Sequence, residues 1–226
     1  MSRASPSPGL DDSAGDGRTA RSRATRTRIA RTAAHLFVES GYATTSIRTI
    51  AAQAGVSVQT VYYTFKTKPA ILAAALDLTI AGDDQPVDPL GRPWLRHALA
   101  MAEPAEQVRR HVAGVGQILR RAAPLLQVVR GAAAVDPDLA HIWRTNIEQR
   151  RTVQRVLIEA LATKTPLRPG LDVDTATDIA LMLLSPETYT LLTVERNWTP
   201  HQWRCWVRQA LLEQVVATAP TPGEAC

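Results

Sequence analysis

Cysteine is all but absent from this sequence: Cys205 and Cys226 are the only two in 226 residues, and both stand near the C-terminus. Two thiols so placed exclude a disulfide framework and a cysteine-rich metal site. Neither belongs to a CxxC, and neither is expected to have a helical histidine partner. The five histidines, at 35, 97, 111, 141 and 201, form no H-x-x-x-H pair. Long apolar runs are missing as well. The opening MSRASPSPGLDDSAGDG has no apolar h-region, and no later stretch reaches the roughly 18 uncharged apolar residues a spanning helix needs. The expectation is a soluble, unexported, cytoplasmic protein with no membrane partner.

The signatures of common catalysts are lacking too. There is no P-loop, GxGxxG or GxSxG, and the lone Gly114-Val115-Gly116 lies inside a helical pattern, where it reads as close helix packing. No catalytic residue, metal site or cofactor is expected, and the chain is not read as an enzyme. No segment alternates with period two, and no Asn-Gly or Asp-Gly hairpin separates β-branched runs, so a sheet has no support.

What is present is an uneven charge. Residues 21–68 carry six Arg and two Lys against Glu39 alone, a local +7 in a chain whose total is +5, so the rest of the chain is slightly acidic. Such asymmetry points to a polyanion. A membrane surface would call for a broad Trp/Phe/Leu face, but residues 23–39 offer only Ile29, Leu36 and Phe37.

Periodicity supplies the elements. Residues 1–22 are rich in Ser, Pro, Gly and Asp and read as a disordered tail. Ile29, Ala33, Leu36 and Phe37 then make one helix face that stops before Gly41. A second helix, capped by Thr44 or Thr45, repeats Ile47, Ile50, Ala51 and Ala54 up to Gly55; Ser57 caps a short third, and Pro69 opens a fourth over residues 69–81. Residues 82–93 form a loop. Glu103-Pro104, Asp136-Pro137, Ser185-Pro186 and Thr199-Pro200 mark later helix starts, the last with capping-box spacing. The expected class is all-α: a helix-turn-helix domain over 23–68, a larger helical regulatory and dimerisation domain over 69–218, and a flexible tail over 219–226.

Within IRTIAAQAGVSVQTVYYTFK the types and spacing are those of a helix-turn-helix. Ala51 is small where two helices cross, Gly55 can take the positive φ of the turn, and Ile50, Val56 and Val61 close a miniature core. On the third helix Val58, Val61 and Phe65 share one flank, leaving Gln59, Thr60 and Tyr63 free to meet base edges in a major groove. Tyr62 lies at the margin, as a phosphate contact or a core tyrosine with a wet tip. Thr45, Ser46, Ser57 and Lys68 qualify as phosphate contacts, and the arginines at 21, 23, 26, 28 and 31 add general attraction as a disordered basic arm or a solvated helix start.

The stretch ARTAAHLFVESGYATTSIRTIAAQAGVSVQTVYYTFKTKPAIL resembles the N-terminal domain of TetR-family regulators, over about residues 24–75. The resemblance is carried by Ala34 to Phe37 before Gly41-Tyr42, Thr44-Thr45, Ile50-Ala51, Ala54 to Ser57, Thr60-Val61-Tyr62, Phe65 and Lys68. It implies an all-helical homodimer that binds double-stranded DNA, a fourth helix linking to a ligand-binding domain, dimerisation through the last two helices, and repression relieved by a small-molecule effector. Where relatives often carry His or another hydrogen-bonding side chain just before the aromatic, this sequence has Thr64, so no operator sequence carries over.

Beyond residue 80 the pattern speaks for helices alone. Trp203, Trp206, Val207, Ala210, Leu211 and Val215 form one apolar stripe, with Ile179, Met182, Leu183, Leu191 and Leu192 upstream. A subunit interface or an ordinary core would both produce it. Met101, His111, Trp143, Asn146 and Tyr189 are candidate lining for an effector pocket, while RTNIEQRR after Trp143 reads as a solvated, Arg-rich helix face. A constitutive or structural DNA-binding protein without a ligand is the alternative.

Overall fold

The computed structural model describes residues 12–85 and 88–217, without the side chains of 12–16 and 18. Ten α-helices make up this part of the chain: α1 (Asp12–Ser40), α2 (Ile47–Gln53), α3 (Val58–Phe65), α4 (Lys68–Ala81), α5 (Pro93–Leu99), α6 (Pro104–Ala133), α7 (Pro137–Ala162), α8 (Val173–Leu183), α9 (Pro186–Thr190) and α10 (Pro200–Val215). A 3-10 turn (Pro89–Gly91) precedes α5, and a π-type turn (Leu191–Glu195) follows α9. No strand occurs among the described residues, only an isolated antiparallel bridge between Leu167 and Val216.

Every proline-marked start becomes a helix start, and Thr199 and Gln202 complete their reciprocal capping box. At the N-terminal end the expectations need two corrections. Residues 1–11 lie outside the described residues, but 12–22 are helical, an extension of α1 rather than a tail. Once Ile29, Ala33 and Phe37 anchor a helix, adding turns costs far less than starting one. The expected tail over 219–226 also lies outside the described residues.

The second correction concerns the cap of α2, which is Ser46: its hydroxyl accepts from Thr49 N at 3.0 Å. Thr44 and Thr45 close α1 instead. The Thr45 hydroxyl donates to Gly41 O at 2.8 Å, and Thr44 to the Ser40 carbonyl, so both satisfy orphan acceptors at the end of α1.

The apolar side chains collect in two cores. The first joins α1 to α4 with the second half of α6, through Ala122, Leu125, Leu126 and Val129, and with Leu139 at the start of α7. The second joins the first half of α6 to the end of α7 and to α8, α9 and α10 around Trp203. At 30 residues, roughly 45 Å by helical rise, α6 spans both cores. The DNA-binding candidate therefore has no core of its own.

Gly114 and Gly116 explain the close packing on α6. A Cβ on Gly114 would fall inside the Trp94 ring's van der Waals surface, and one on Gly116 would fall 3.1 Å from Trp203. Among the described residues no helix is long and apolar enough to cross a membrane.

Candidate nucleic-acid interface and adjoining cavity

Two turns of helix make up α3, and their faces divide sharply. Val61 and Phe65 are buried on Ile50, Ala51 and Ala54, whereas Tyr63 is 89% exposed and Tyr62 50%. Gln59 is exposed and Thr60 half-buried, its hydroxyl 2.8 Å from that of Ser57. Val58, expected on the buried flank, is 37% exposed, because it sits in the first turn at the rim of the small core. Gly55 takes φ +64 in the turn.

The N-termini of α2, α3 and α4 are capped alike: Ser46, Ser57 and Thr67 each accept the backbone N–H three residues on, at 3.0, 3.0 and 3.2 Å. Each of the two serines leaves an exposed helix N-terminus beside it, with partial positive charge. Arg48, exposed in the first turn of α2, joins them; the sequence-based contacts omit it, although the IRTIAAQ pattern puts it opposite the buried face.

Two of the expected contacts are engaged elsewhere. Thr45 is buried at 3% exposure with its hydroxyl turned into α1, so its side chain is withheld from a phosphate. Lys68 Nζ stands 4.3 Å over the Tyr42 ring and donates to Ala43 O at 3.4 Å. Partial burial works against its charge, while Asp136 at the start of α7 partly restores it. Burial, then Asp136 and Asp138, push the Tyr42 hydroxyl up to about 12.

The arginines at 21, 23, 26, 28 and 31 lie along helical α1 rather than on a disordered arm. Arg26 does more than attract. It donates to Thr64 O at 3.3 Å and stacks 4.5 Å over Phe65, both on α3.

Arg26 also borders a cavity of about 790 Å³. Its walls are Thr27 and Ala30 from α1, Asp77 and Leu78 from α4, Ile118, Leu119 and Leu126 from α6, and Asn146, Arg150 and Gln154 from α7, with Trp94 of α5 at one side. Asp83 and Arg92 face each other at its mouth, 2.8 Å apart. Burial raises the Asp77 carboxyl above its ordinary range, an effect partly opposed by Arg26.

Of the expected pocket residues only Asn146 lines this space. His111 is fully buried one layer behind, donating from Nε2 to Gln154 Oε1 at 2.9 Å, and burial lowers its pKa to about 4. Trp143 packs on the first core beneath Arg150, whose guanidinium is 5.4 Å from its ring. Tyr189 belongs to the second core, edge-on to Trp203 at 5.0 Å, and Met101 lies in the turn after α5.

RTNIEQRR is likewise not a uniformly solvated face. Asn146 is buried and Arg150 turns to the cavity, while Arg151 reaches outward to Asp174 and Asp178. Around the C-terminus, Trp203, Val207, Leu211 and Val215 face the chain's own core, but Trp206, Met182, Leu191 and Val194 remain 38 to 66% exposed. His201 does partner Cys205, contrary to expectation, with Nδ1 3.6 Å from Sγ one turn later on α10. Among the described residues no group of three His, Cys, Asp or Glu side chains is placed to hold a metal ion.

With the turn, caps and exposed face in place, residues 29–75 match the family described as bacterial regulatory proteins, tetR family. The chain carries a TetR-family DNA-binding domain. The TetR-type fold extends well beyond it. A transcriptional regulator from Chloroflexus aurantiacus is 22% identical, with TM-score 0.63 over 88% of this chain and 100% of that one. A regulator from Saccharomonospora viridis in complex with choline is 20% identical, with TM-score 0.65 over 84% and 97%. SmeT in complex with triclosan is 18% identical, with TM-score 0.66 over 89% and 100%. At such identities these likenesses show the fold alone. No curated protein sequence matches the chain.

Proposed function

We propose that this chain is a homodimeric, sequence-specific transcriptional repressor that leaves a palindromic operator when a small molecule fills the cavity. The observation that carries the reading is the two-faced α3: a helix with Gln59 and Tyr63 exposed, held between capped N-termini in the most basic part of the chain. Gln59, Thr60 and Tyr63 then contact bases, and Ser46, Ser57 and Tyr62 contact phosphates, joined by Lys68 only if its ammonium leaves Ala43 O.

A single two-turn helix reads few base pairs, and a two-fold pair multiplies its discrimination. The exposed Met182, Leu191, Val194 and Trp206 supply an apolar face for that pairing. Coupling to the cavity runs through α1 and α4. At one end of α4, Lys68 rests on Tyr42; at the other, Arg121 of α6 donates to Thr79 O at 2.7 Å and Ile80 O at 2.5 Å. A ligand that favours another setting of α4, or draws Arg26 away from Thr64, shifts the DNA-competent population by its difference in affinity for the two states.

The test is selection of bound fragments from the host genome, followed by binding assays with the fragment recovered. Enrichment of one palindrome supports the reading, and a sequence-blind profile overturns it in favour of a structural DNA-binding protein. Tyr63→Ala is expected to lower the ratio of specific to random affinity by about 1–3 kcal/mol with an unchanged melting temperature.

A further inference from the structure

Asn146, Arg150 and Gln154 stand at i, i+4 and i+8 on α7 and form one stripe on the cavity wall. Their acceptors are already engaged. Arg150 Nε donates to Asn146 Oδ1 at 3.0 Å, and His111 Nε2 to Gln154 Oε1 at 2.9 Å. What remains is mostly donors: two amide NH2 groups and the Arg150 Nη fork have no hydrogen-bond partner among the described residues, against one further lone pair on each amide oxygen.

Arg150 differs from the other cavity arginines. Arg92 pairs with Asp83, Arg26 reaches α3, and Arg23 stands in water. Arg150 is half-buried, and the groups it touches are neutral, the Asn146 amide and the Trp143 ring face. Glu187 acts on it only from a distance and is itself paired with Arg130 at 3.7 Å. No carboxylate pairs with Arg150 among the described residues. Taking a guanidinium from water without a contacting counter-charge is unfavourable, and an anion placed against it with good hydrogen-bond geometry recovers part of that free energy.

Resting on the reading of the cavity as an effector site, we propose that its ligand is an organic carboxylate: the carboxylate sits on Arg150 between Asn146 and Gln154, and an apolar body lies along Ile118, Leu119 and Leu126. An alcohol can use only part of the donor stripe. An ammonium group sets donor against donor and cation beside cation. Trp94 is the single aromatic side chain in the described lining, too few for a cage around a quaternary ammonium. Asp77 on the α4 wall, and Asp84 and Asp88 beside the Asp83–Arg92 pair, disfavour an anion at those places and leave the Arg150 wall for the carboxylate.

The test uses the full chain and three probes with the same ten-carbon chain, decanoate, 1-decanol and decyltrimethylammonium, titrated calorimetrically below the micelle concentrations of the two ions and the solubility limit of the alcohol. Decanoate is expected to bind at least tenfold more tightly than either other probe. Arg150→Met should abolish that preference while leaving decanol affinity within about twofold, and Arg150→Lys, which keeps the charge but not the fork, should restore part of it. If Arg150→Met does not fold, Asn146→Ala carries the same expectation of a weakened decanoate preference.

Equal affinities, a preference for the ammonium, no decanoate binding, or unaltered decanoate affinity in Arg150→Met would overturn the proposal. Operator binding in the presence of each probe separates it from the reading beneath it. Decanoate that binds Arg150 without changing operator affinity leaves the ligand class standing and removes the coupling; decanol or the ammonium releasing the operator does the reverse.

Discussion

The DNA-facing end and the cavity are built by opposite strategies. At the first, the helix ends are closed within a few residues: Ser46, Ser57 and Thr67 cap their own helices, and Gly55 turns the chain between two of them. At the second, partners come from far along the chain. His111 meets Gln154 across 43 residues and Arg121 meets Thr79 across 42, while Arg26 at the cavity's edge reaches back 38 residues to Thr64 on α3 and ties the two regions together. The local end is a pattern that can be carried from chain to chain, while the cavity depends on how long helices are set against one another. Substitutions at the cavity end should therefore disturb the whole body, and those at the DNA end should act singly.

The largest effect is expected at Gly114. Because the Trp94 ring occupies the space that any side chain on Gly114 would need, Gly114→Val should lose about 3 kcal/mol, near the upper end for overpacking, as measured by urea unfolding. Adding Trp94→Ala should return part of that loss. If the single variant is as stable as the parent, the packing of α5 on α6 is not as described.

His111 supplies a pH-dependent contrast. Its folded pKa of about 4 lies below the ordinary 6.5, so the unfolded chain takes up its proton first as pH falls. Stability should decline from about pH 6.5 to pH 4, by up to about 3 kcal/mol from this residue, and level off below. His111→Gln should remove that slope from unfolding curves recorded across the window; an unchanged slope would assign it to other groups.

At the DNA end Ser57→Ala should cost only about 1 kcal/mol, the value of a helix cap, with no change in denaturant slope. A loss as large as that at Gly114 would erase the distinction between the two ends. The smallest effect belongs to the outer face of α7. Arg151 pairs with Asp174 and Asp178 in solvent, and Arg151→Ala should leave the unfolding midpoint almost unchanged, the more so in high salt.

The same contrast explains which features are legible in the sequence. The helix-turn-helix, its turn glycine and the proline-marked starts are local, and they appear where the residues place them. The cap of α2 is harder to read because Thr44, Thr45 and Ser46 are all competent caps, and only the path after Gly41 decides which hydroxyl meets an N–H. Four of the five expected pocket residues, Met101, His111, Trp143 and Tyr189, stand outside the cavity lining. A buried aromatic or histidine carries no sign of which side of a helix is hollow, so Tyr189 and His111 pass for lining in the sequence although they are packed behind it.

The apolar stripe of α10 is ambiguous for a related reason. Periodicity says that Trp203 and Trp206 are both apolar, and only the docking of α9 and α6 buries the first and leaves the second 38% exposed. Within RTNIEQRR, likewise, adjacent Arg150 and Arg151 have the same chemistry and opposite surroundings, since successive residues on a helix are turned by about 100°.

By itself the sequence determined an all-helical chain, the basic segment, and the capped two-helix motif with its free polar face, because hydroxyl caps, a positive-φ glycine and 3.6-residue periodicity act over distances of one or two turns. Only the tertiary structure decided that α6 joins both cores, that a cavity opens between α1, α4, α6 and α7, and that Asn146, Arg150 and Gln154 line it. Those outcomes depend on the relative setting of helices tens of residues apart, which is fixed by side-chain volumes such as Trp94 against Gly114 and by no short-range rule.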